Sequence, residues 1–550
     1  MGRFKKNIIH NRILKFTFIS FIIFILLIGR LFWLQIKNHH PLKTEALKQR
    51  GKEVNIYPDR GIIYDVNLIP LTNNERVNTL FVFKDSIDKD QSIKDFILNN
   101  TNLSEKQLEE CIETNKTIID IPLKHTIPNP NEKKIFVADK TLRYNNRNIL
   151  SHVIGYINKS ENRGESGIEK VYDEILKKQK GESLFIELDK RENIILGGDY
   201  AVGQKTDPLQ PTSVKLTIDY HIQSIVESIL DEEKANGAVI VADAETGDIK
   251  ALASRPNFDQ EDIDQYLDRE DMALYNKGVQ VSYPPGSLFK IVVLLTALEE
   301  DIGYIDRYFY CKGYEEIGNI SIRCSNTSGH GHISFKEAFS KSCNSAFIQL
   351  GQELGSDKII NMAKKIGLGN RINIGLLEEI EGNLPSGKEL KGPAIGNISI
   401  GQGSIETTPI QITNMMLIGV NGGVRKAMTI VDGITTKDGY MIKKFNREKE
   451  ERVVSKESCQ ILYDYLINVV EEGTAMNINL ADIGGAGGKT GSAQAVLNGV
   501  ETIHGWFSGF YPIEKPQYVI TVIIEEGISG SQSAAPVFEK IIKKINEINR

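Results

Sequence analysis

Ser287 and Lys290 stand three positions apart, directly after a Pro-Pro-Gly turn and before an apolar run at 291–298. The run predicts a buried helix, and positions three apart lie on one face of a helix. We therefore expect the Ser287 hydroxyl and the Lys290 amine to meet. Serine becomes a nucleophile when a base takes its proton, and lysine can be that base if burial or neighbouring cations keep it neutral. Alone, the tetrad is weak evidence, because Ser-x-x-Lys often marks an ordinary helix start.

A second serine and an asparagine occur together further along the chain, in Ser342-Cys343-Asn344. A hydroxyl close to the first serine could relay protons, and an asparagine amide could hold both a substrate amide and the lysine. By itself this tripeptide is indistinguishable from chance. Its place after the Ser-x-x-Lys tetrad gives it weight.

The third motif is Lys489-Thr490-Gly491-Ser492, in which glycines stand on both sides of the Lys-Thr pair. The pattern predicts an edge strand, and glycine leaves room for a peptide to lie close to the backbone. Lys489 supplies a fixed cation and Thr490 a hydroxyl, a combination suited to a terminal carboxylate. Taken alone, such a motif is more often a turn, so its weight comes from the order of all three motifs.

Ser-x-x-Lys, Ser-x-Asn and Lys-Thr-Gly in this order form the motif set of penicillin-binding proteins and serine β-lactamases. Other stretches resemble the penicillin-binding transpeptidase domain: a hairpin at 237–253, a Gly-Gln-Gly segment at 401–403, and the segments 472–475 and 505–510 around the third motif. The resemblance implies an α/β fold of the penicillin-recognising type, in which an antiparallel sheet is flanked by helices.

The resemblance also assigns roles to residues. It implies a peptidoglycan D,D-transpeptidase that forms an acyl-enzyme with a stem peptide ending in D-Ala-D-Ala and that β-lactam antibiotics trap. In that family, backbone N–H groups at the positions of Ser287 and Ser492 form the oxyanion hole. The implied catalytic residues are Ser287, Lys290, Ser342 and Asn344, and the implied substrate-binding residues are Lys489, Thr490, Gly491 and Ser492.

Three other functions stay open on the sequence alone. A serine β-lactamase uses the same motifs, and a D,D-carboxypeptidase shares the acyl step but releases the peptide to water. A third alternative is a scaffold that binds and activates a SEDS-type glycan polymerase in the membrane. Class B penicillin-binding proteins serve cell shape, cell division or sporulation and are linked to antibiotic resistance, and the sequence does not choose among these roles.

Length and charge set broad limits. A chain of 550 residues is too long for one ordinary core, so two or three folded units are expected. The formal net charge of -6 gives no case for nucleic acid as a partner. The expected partners are instead the peptidoglycan stem peptide on its lipid-linked precursor polymer, β-lactams and the membrane. No organic cofactor is indicated.

The N-terminal segment at 16–36 is apolar apart from Arg30 and a few neutral polar residues, and it is long enough to cross a bilayer as a helix. Only basic charges precede it, which favours a cytoplasmic tail at 1–15 and an extracytoplasmic catalytic domain. These charges are Arg3, Lys5, Lys6, Arg12 and Lys15. A cleaved signal peptide is the rival, but no Ala-x-Ala-like site follows. We expect an uncleaved single-pass anchor in the cell membrane.

Residues 41–215 carry none of the three motifs. Two patches in this region, at 60–65 and 167–173, resemble the pedestal, or dimerisation, module of class B penicillin-binding proteins. In that family the module stands between the membrane and the catalytic domain. We expect Arg60 and Glu169 to be structural partners within it rather than catalytic groups.

The predicted domain order is the anchor at 16–36, a mixed α+β pedestal at 41–215 and the transpeptidase domain at 216–550. Asn- and Lys-rich stretches around 84–150 predict a solvated lobe in the pedestal. No glycosyltransferase-like region precedes the pedestal, so a monofunctional enzyme is expected.

Three of the five cysteines lie close together in the sequence, with two histidines among them. Outside the cytoplasm, a Cys311–Cys324 disulfide is one interpretation and free buried thiols are another. A structural Zn²⁺ site of three cysteines and one histidine is the third, although the spacing alone is weak. Some class B penicillin-binding proteins carry zinc beside the active site. By that resemblance the ligands are Cys311, Cys324, His330 and Cys343, with His332 as the rival for the fourth position.

Overall fold

The computed structural model describes residues 2–39, 42, 51–58, 60–113, 117–128, 135–145, 147–187, 209–447, 449–497 and 500–548. Its first element is helix α1 (Gly2–Phe32), which continues as a π-helical turn at Trp33–Lys37. Within the described residues, Ile9–Lys37 is the one helical segment long and apolar enough to cross a membrane, by length and composition. It contains the predicted anchor, which agrees with a membrane-attached chain.

Contacts divide the chain into two compact units, of which the smaller combines Met1–Asp59, Glu75–Leu142 and Lys180–Thr206. Its strands and helices are Gly51–Asn55 paired with Ser183–Glu187, a three-stranded antiparallel sheet in the order Ile118–Pro122, Glu75–Phe83, Ile135–Leu142, and the helices Lys84–Lys89, Gln91–Asn100 and Glu105–Ile112. Leu80, Val82, Ile93 and Ile97 form part of a buried apolar cluster there. Many polar side chains of the predicted solvated lobe are exposed, and its apolar residues form small buried clusters beneath them.

The larger unit is built on a five-stranded antiparallel sheet. Its strands are β1 (Gly237–Asp243), β2 (Ile249–Arg255), β3 (Gly487–Leu497), β4 (Val500–Tyr511) and β5 (Tyr518–Ile524). Their spatial order is β2-β1-β5-β4-β3, so the strand that carries Lys-Thr-Gly lies at one edge. The predicted hairpin at 237–253 and the predicted edge strand are both confirmed.

Helices cover this sheet. The principal ones are α2 (Tyr220–Glu232), α3 (Lys290–Glu300), α4 (Phe335–Ser340), α5 (Asn344–Leu354), α6 (Pro409–Val420), α7 (Lys456–Glu471) and α8 (Ala535–Ile548). Helix α2 packs on β2, α6 on β1 and β5, α7 on β3, and α8 on β4 and β5. The other helices of this unit are Ser151–Ile154, Gly167–Val171, Asp173–Leu176, Ser356–Lys365 and Ala394–Ser399. The shorter strands are Ile63–Tyr64, Ile157–Asn158, Arg163–Gly164, Ser213–Leu216, Tyr308–Cys311, Tyr314–Ile317, Ile320–Arg323, Gly331–Ser334, Val424–Arg425, Val431–Thr435, Met441–Lys444 and Glu451–Arg452.

Local sequence signals explain where several elements begin. Asp219 caps α2 by accepting hydrogen bonds from two backbone N–H groups of its first turn. Thr408 and Gln411 form a capping box at the start of α6, where Pro409 occupies the first turn. Gly247 closes the β1–β2 hairpin with φ +78°, a conformation that favours glycine.

A buried ion cluster lies in the larger unit, which also takes in Arg60–Asn74 and Arg143–Gln179. Glu169 is fully buried and pairs with Arg60 at 2.7 Å and with Arg143 at 2.7 Å. The buried Tyr144 hydroxyl donates to the same carboxylate at 3.2 Å. Asp173 pairs with Arg60 at 2.8 Å, so two arginines meet two carboxylates and the charges balance. The cluster therefore stabilises the fold, as expected for structural partners.

We expect Glu169→Gln to destabilise the protein by about 3–5 kcal/mol, because it removes the carboxylate that pairs with the buried Arg143, while Arg60 keeps Asp173. Thermal melts of the full-length chain in detergent would measure the loss. The matched control is Glu161→Gln, which removes a surface partner of Arg163 and should leave the melting temperature unchanged. Equal melting temperatures for the two variants would contradict a structural role for the buried cluster.

Candidate active site

Ser287 lies in a single 3₁₀ turn, Gly286–Phe289, that leads directly into α3. Residues three apart eclipse one another in a 3₁₀ turn, so Ser287 and Lys290 share a face. Gly286 has φ +55°, and a side chain there would meet the Ser492 carbonyl oxygen at 2.8 Å. The turn that presents Ser287 therefore lies directly against the strand of the third motif.

The Lys290 amine is completely buried, and it makes hydrogen bonds to residues of the second motif. Its Nζ donates to the Ser342 carbonyl oxygen at 2.7 Å, to Ser342 Oγ at 3.1 Å and to Asn344 Oδ1 at 2.8 Å. The expected hydrogen bond to Ser287 is absent from the described residues, because these three acceptors surround the amine. Contacts of this kind often form only when substrate is bound.

Burial lowers the pKa of Lys290 to about 8, and the nearby sulfurs of Cys343 and Cys324 oppose the shift. Burial also lowers the pKa of Lys489 well below its ordinary value, and the Lys290 charge adds to that effect. Two neighbouring lysines, neither paired with a carboxylate among the described residues, therefore lose a proton more readily than an ordinary lysine. A neutral Lys290 has the lone pair that a proton acceptor needs.

The second motif has an unusual backbone conformation. Ser342 has φ +53°, in the left-handed region that a serine rarely adopts. Its side chain lies next to Lys290. The following residue, Cys343, caps α5, and its Sγ accepts a hydrogen bond from the Ala346 N–H at 3.5 Å. Asn344 opens the helix and donates its amide to the Arg323 carbonyl oxygen at 3.0 Å. These contacts aim Ser342 Oγ and Asn344 Oδ1 at Lys290.

The third motif lies on β3, where consecutive side chains point to opposite faces. Thr490 and Ser492 face the cavity beside Ser287. The Lys489 side chain points the other way and is fully buried, with Nζ over the Phe339 ring at 5.6 Å. The sequence suggested that Lys489 helps to bind a terminal carboxylate, but its side chain does not line this cavity. Its charge would act from beneath the cavity floor, while hydroxyl groups line the surface.

One cavity of about 290 Å³ joins the three motifs. It is lined by Ser287, Ser325, Ser342, Asn344, Ile400, Gln402, Thr474, Thr490, Ser492, Ser529 and Ser531. Ten of these eleven residues carry a hydroxyl or a side-chain amide group. The cavity therefore suits an extended peptide, whose backbone both donates and accepts hydrogen bonds.

A family model described as the penicillin binding protein transpeptidase domain matches residues 237–543. Stage V sporulation protein D of Bacillus subtilis is 30% identical over 564 residues, covering 97% of this chain and 85% of that protein. The chain is a class B penicillin-binding transpeptidase family member. Peptidoglycan D,D-transpeptidase MrdA of Acinetobacter baumannii is 27% identical, covering 97% and 88%. The solved penicillin-binding protein PBP2 of Helicobacter pylori shares the fold, with a TM-score of 0.72 at 23% identity, covering 90% of this chain and 99% of that one.

Sequence reasoning missed part of the wall of this transpeptidase cleft. Thr474 Oγ1 lies 2.5 Å from Thr490 Oγ1 and so orients the hydroxyl of the third motif. Ser529 and Ser531 come from the loop before α8, where the Gly530 N–H donates to Ser492 Oγ at 3.0 Å. Thr474 lies in a stretch that resembles the family, but the serines of the 529–531 loop belong to no motif. Only the folded sheet brings them beside β3.

Four potential metal ligands converge beside the transpeptidase motifs. The ligand atoms of Cys311, Cys324, His330 and Cys343 all lie within 4.8 Å of one another, and the three cysteines are buried. Cys324 Sγ is 3.8 Å from Cys343 Sγ and 3.6 Å from His330 Nδ1. Tetrahedral zinc with ordinary bond lengths separates two sulfurs by about 3.8 Å and a sulfur from a nitrogen by about 3.6 Å. The donor set therefore fits Zn²⁺.

The rival ligand, His332, lies elsewhere. It is exposed on the strand Gly331–Ser334, opposite Tyr310, whose ring centroid is 4.9 Å away. Cys311, Cys324 and Cys343 are free thiols in the structure, with no disulfide among them. The hydrogen bond shared by the two thiols lowers the pKa of Cys324, while the same bond and burial raise the pKa of Cys343. A readily formed thiolate at Cys324 is the form in which cysteine binds metals.

Proposed function

We propose that this chain is a peptidoglycan D,D-transpeptidase whose nucleophile is Ser287. The observation that carries the proposal is the convergence of Ser287, the buried Lys290 amine, Ser342 Oγ and Thr490 at one cleft. The curated relative named for that activity, at 27% identity over nearly the whole chain, supports the same reaction. The donor substrate is a stem peptide ending in D-Ala-D-Ala.

Acylation begins when Ser287 Oγ bonds to the carbonyl carbon of the penultimate D-alanine. The Oγ proton passes to neutral Lys290, directly or through Ser342. Of the three acceptors around Lys290 Nζ, only Ser342 Oγ can turn and become a donor, since the other two are a carbonyl and an amide oxygen. Ser342 is therefore suited to pass the proton on to the nitrogen of the departing D-alanine when its C–N bond breaks.

Negative charge develops on the attacked carbonyl oxygen, and by the family resemblance the N–H groups of Ser287 and Ser492 would stabilise it. The backbone of the nucleophile turn and that of β3 are too close for a side chain at Gly286 or at Gly491, which would meet the Pro285 carbonyl oxygen at 2.9 Å. An oxyanion donor of this kind is worth about 3 kcal/mol of transition-state stabilisation. Thr490 and Ser492 hydroxyls bind the terminal carboxylate, with the Lys489 charge below them.

Deacylation distinguishes this reaction from its rivals. The amine of a second stem peptide attacks the Ser287 ester, forms the cross-linking amide and returns a proton to Ser287 Oγ. An acceptor-transfer assay with a labelled donor peptide and an amine acceptor tests this step. Cross-linked product supports the proposal. Release of shortened peptide alone indicates a D,D-carboxypeptidase, and rapid repeated hydrolysis of nitrocefin indicates a β-lactamase.

We expect the rate constant for acylation by penicillin to rise about tenfold between pH 7 and pH 9, because the neutral form of Lys290 is the active base. The pKa of about 8 places the midpoint inside this range, with the slow limb on the acid side. Stopped-flow acylation across the range would measure the profile. A flat profile would show that the proton acceptor titrates elsewhere.

We also infer that the chain belongs to a zinc-containing subgroup, with Zn²⁺ held by Cys311, Cys324, His330 and Cys343. The support is the donor geometry and the burial of the three sulfurs. The ion would have a structural role and would not act on the substrate. It would link the segment 311–330 to the start of α5. That link passes through Cys343, which lies between Ser342 and Asn344.

The apolar N-terminal helix supports a single-pass anchor with the catalytic domain outside the cytoplasm. The sporulation protein among the relatives makes spore-wall synthesis one role to test beside elongation and division. A fluorescent fusion followed through growth and sporulation would separate these roles. Cells with Ser287→Ala that divide and sporulate normally, while a deletion fails, would instead favour a scaffold that activates a SEDS-type polymerase.

A further inference from the structure

A buried chain of three polar side chains connects the central sheet to the nucleophile turn. Lys277 Nζ lies 2.5 Å from Glu525 Oε2, and the Tyr283 hydroxyl donates to Glu525 Oε1 at 2.6 Å. Lys277 is 2% exposed and Tyr283 is 4% exposed, whereas the Glu525 side chain is 14% exposed. Glu525 directly follows β5, and Tyr283 precedes Ser287 by four residues. None of the three lines the cleft.

The backbone between Tyr283 and Gly286 is held from several other elements. The N–H and carbonyl of Tyr283 exchange hydrogen bonds with Thr407 at 2.9 and 2.8 Å. The buried Trp506 indole of β4 donates to the Pro284 carbonyl oxygen at 3.1 Å, and the Gly286 N–H donates to the Gly401 carbonyl oxygen at 3.0 Å. Each peptide of the turn thus has a fixed partner on a separate part of the domain.

The Ser287 side chain is not held in place by hydrogen bonds within the described part of the chain. Its hydroxyl makes no hydrogen bond to any described residue, and the 3₁₀ turn around it is only four residues long. Its position is therefore set by the residues before it. A displacement of about 1 Å between a nucleophile and its target can cost on the order of 100-fold in rate.

We propose that Lys277, Glu525 and Tyr283 are positioning residues for acylation. Glu525 accepts the hydrogen bond of the Tyr283 hydroxyl, and Lys277 pairs with Glu525 and holds it in place. The Tyr283 ring packs edge-on against Trp506 with the ring centroids 5.9 Å apart. These three side chains hold the turn in place. Ser287 Oγ can then reach the substrate carbonyl carbon, and the N–H groups of Ser287 and Ser492 can reach its oxygen. The inference rests on the proposed acyl-enzyme function at Ser287.

The test is Tyr283→Phe in the full-length protein, which keeps the ring and removes the single hydrogen bond. The acylation rate constant for fluorescent penicillin should fall by about tenfold or more. The dissociation constant of the preceding penicillin complex should stay within about twofold, because the binding hydroxyls of β3 are untouched. Glu525→Gln on top of Tyr283→Phe should slow acylation no further than the slower single variant.

The matched control is Tyr144→Phe, which makes the same change at another buried tyrosine that donates to a carboxylate held by cations. It should lower the melting temperature by a similar amount and leave acylation unchanged. A Tyr283→Phe protein that acylates within twofold of the wild-type rate would overturn the positioning role, as would equal slowing in both tyrosine variants. A wild-type protein that penicillin does not acylate would overturn the proposed function, and the inference with it.

Discussion

Ser287→Ala should abolish covalent labelling by fluorescent penicillin and lower transpeptidation by about 10⁴-fold or more. The alanine removes the only atom that can form the ester, and no neighbouring hydroxyl can substitute, since Ser342 is held against Lys290. Stability should hardly change, because the Ser287 hydroxyl has no hydrogen bond to lose among the described residues. Gel fluorescence measures the labelling, and mass spectrometry of the wild-type adduct should place it on the peptide that contains Ser287.

Ser282→Ala is the matched control for this experiment. Ser282 precedes the nucleophile on the same segment, is half-buried and donates to Glu406 at 2.9 Å, but it does not line the cleft. Its alanine variant should label at the wild-type rate. Labelling that survives Ser287→Ala and disappears in Ser282→Ala would show that Ser282 is the nucleophile and would contradict the proposed role of Ser287.

The sequence predicted the site because each motif is local and their order along the chain is informative. Ser-x-x-Lys needs one turn of helix, Ser-x-Asn needs one helix start, and Lys-Thr-Gly needs one strand. What the motifs could not show is which way each side chain points. Lys489 and Thr490 are neighbours on β3, so the alternation of a strand puts only Thr490 in the cleft. The substrate-binding roles of Lys489 and Thr490 stay predictions, and of the two residues Thr490 lines the cleft.

Longer-range features had no sequence signal. Tyr283 and Glu525 are separated by most of the catalytic domain, and only the antiparallel sheet brings them to hydrogen-bond distance. The contact between Lys290 and Asn344 was expected from the motifs, whereas the contact between Lys290 and the Ser342 carbonyl oxygen was not, because only the folded chain places a backbone oxygen there. The fold class itself was predictable, since the strand hairpin at 237–253 and the edge strand follow local hydrophobic alternation and glycine placement.

Zinc removal should lower stability and acylation together. We expect metal analysis of freshly purified protein to find about one zinc per chain, as a site of four ligands implies. Chelation should lower the melting temperature by on the order of 10 °C, since the free energy of metal binding is part of the free energy of folding. Acylation should fall in parallel, because Cys343 fixes the backbone that aims Ser342 and Asn344 at Lys290.

Variants separate the metal from the cysteine side chains themselves. Cys311→Ala removes one ligand without touching the cap of α5, so it should reproduce the effect of chelation. Cys343→Ala should be more damaging, because it also removes the Sγ that caps α5, a contribution of about 1 kcal/mol. Cys459→Ala is the matched control: that thiol is also buried, lies on α7 outside the cluster, and should retain both zinc and acylation. Normal acylation by zinc-free protein would break the link between the metal and the second motif, and purified protein without zinc would remove the metal site itself.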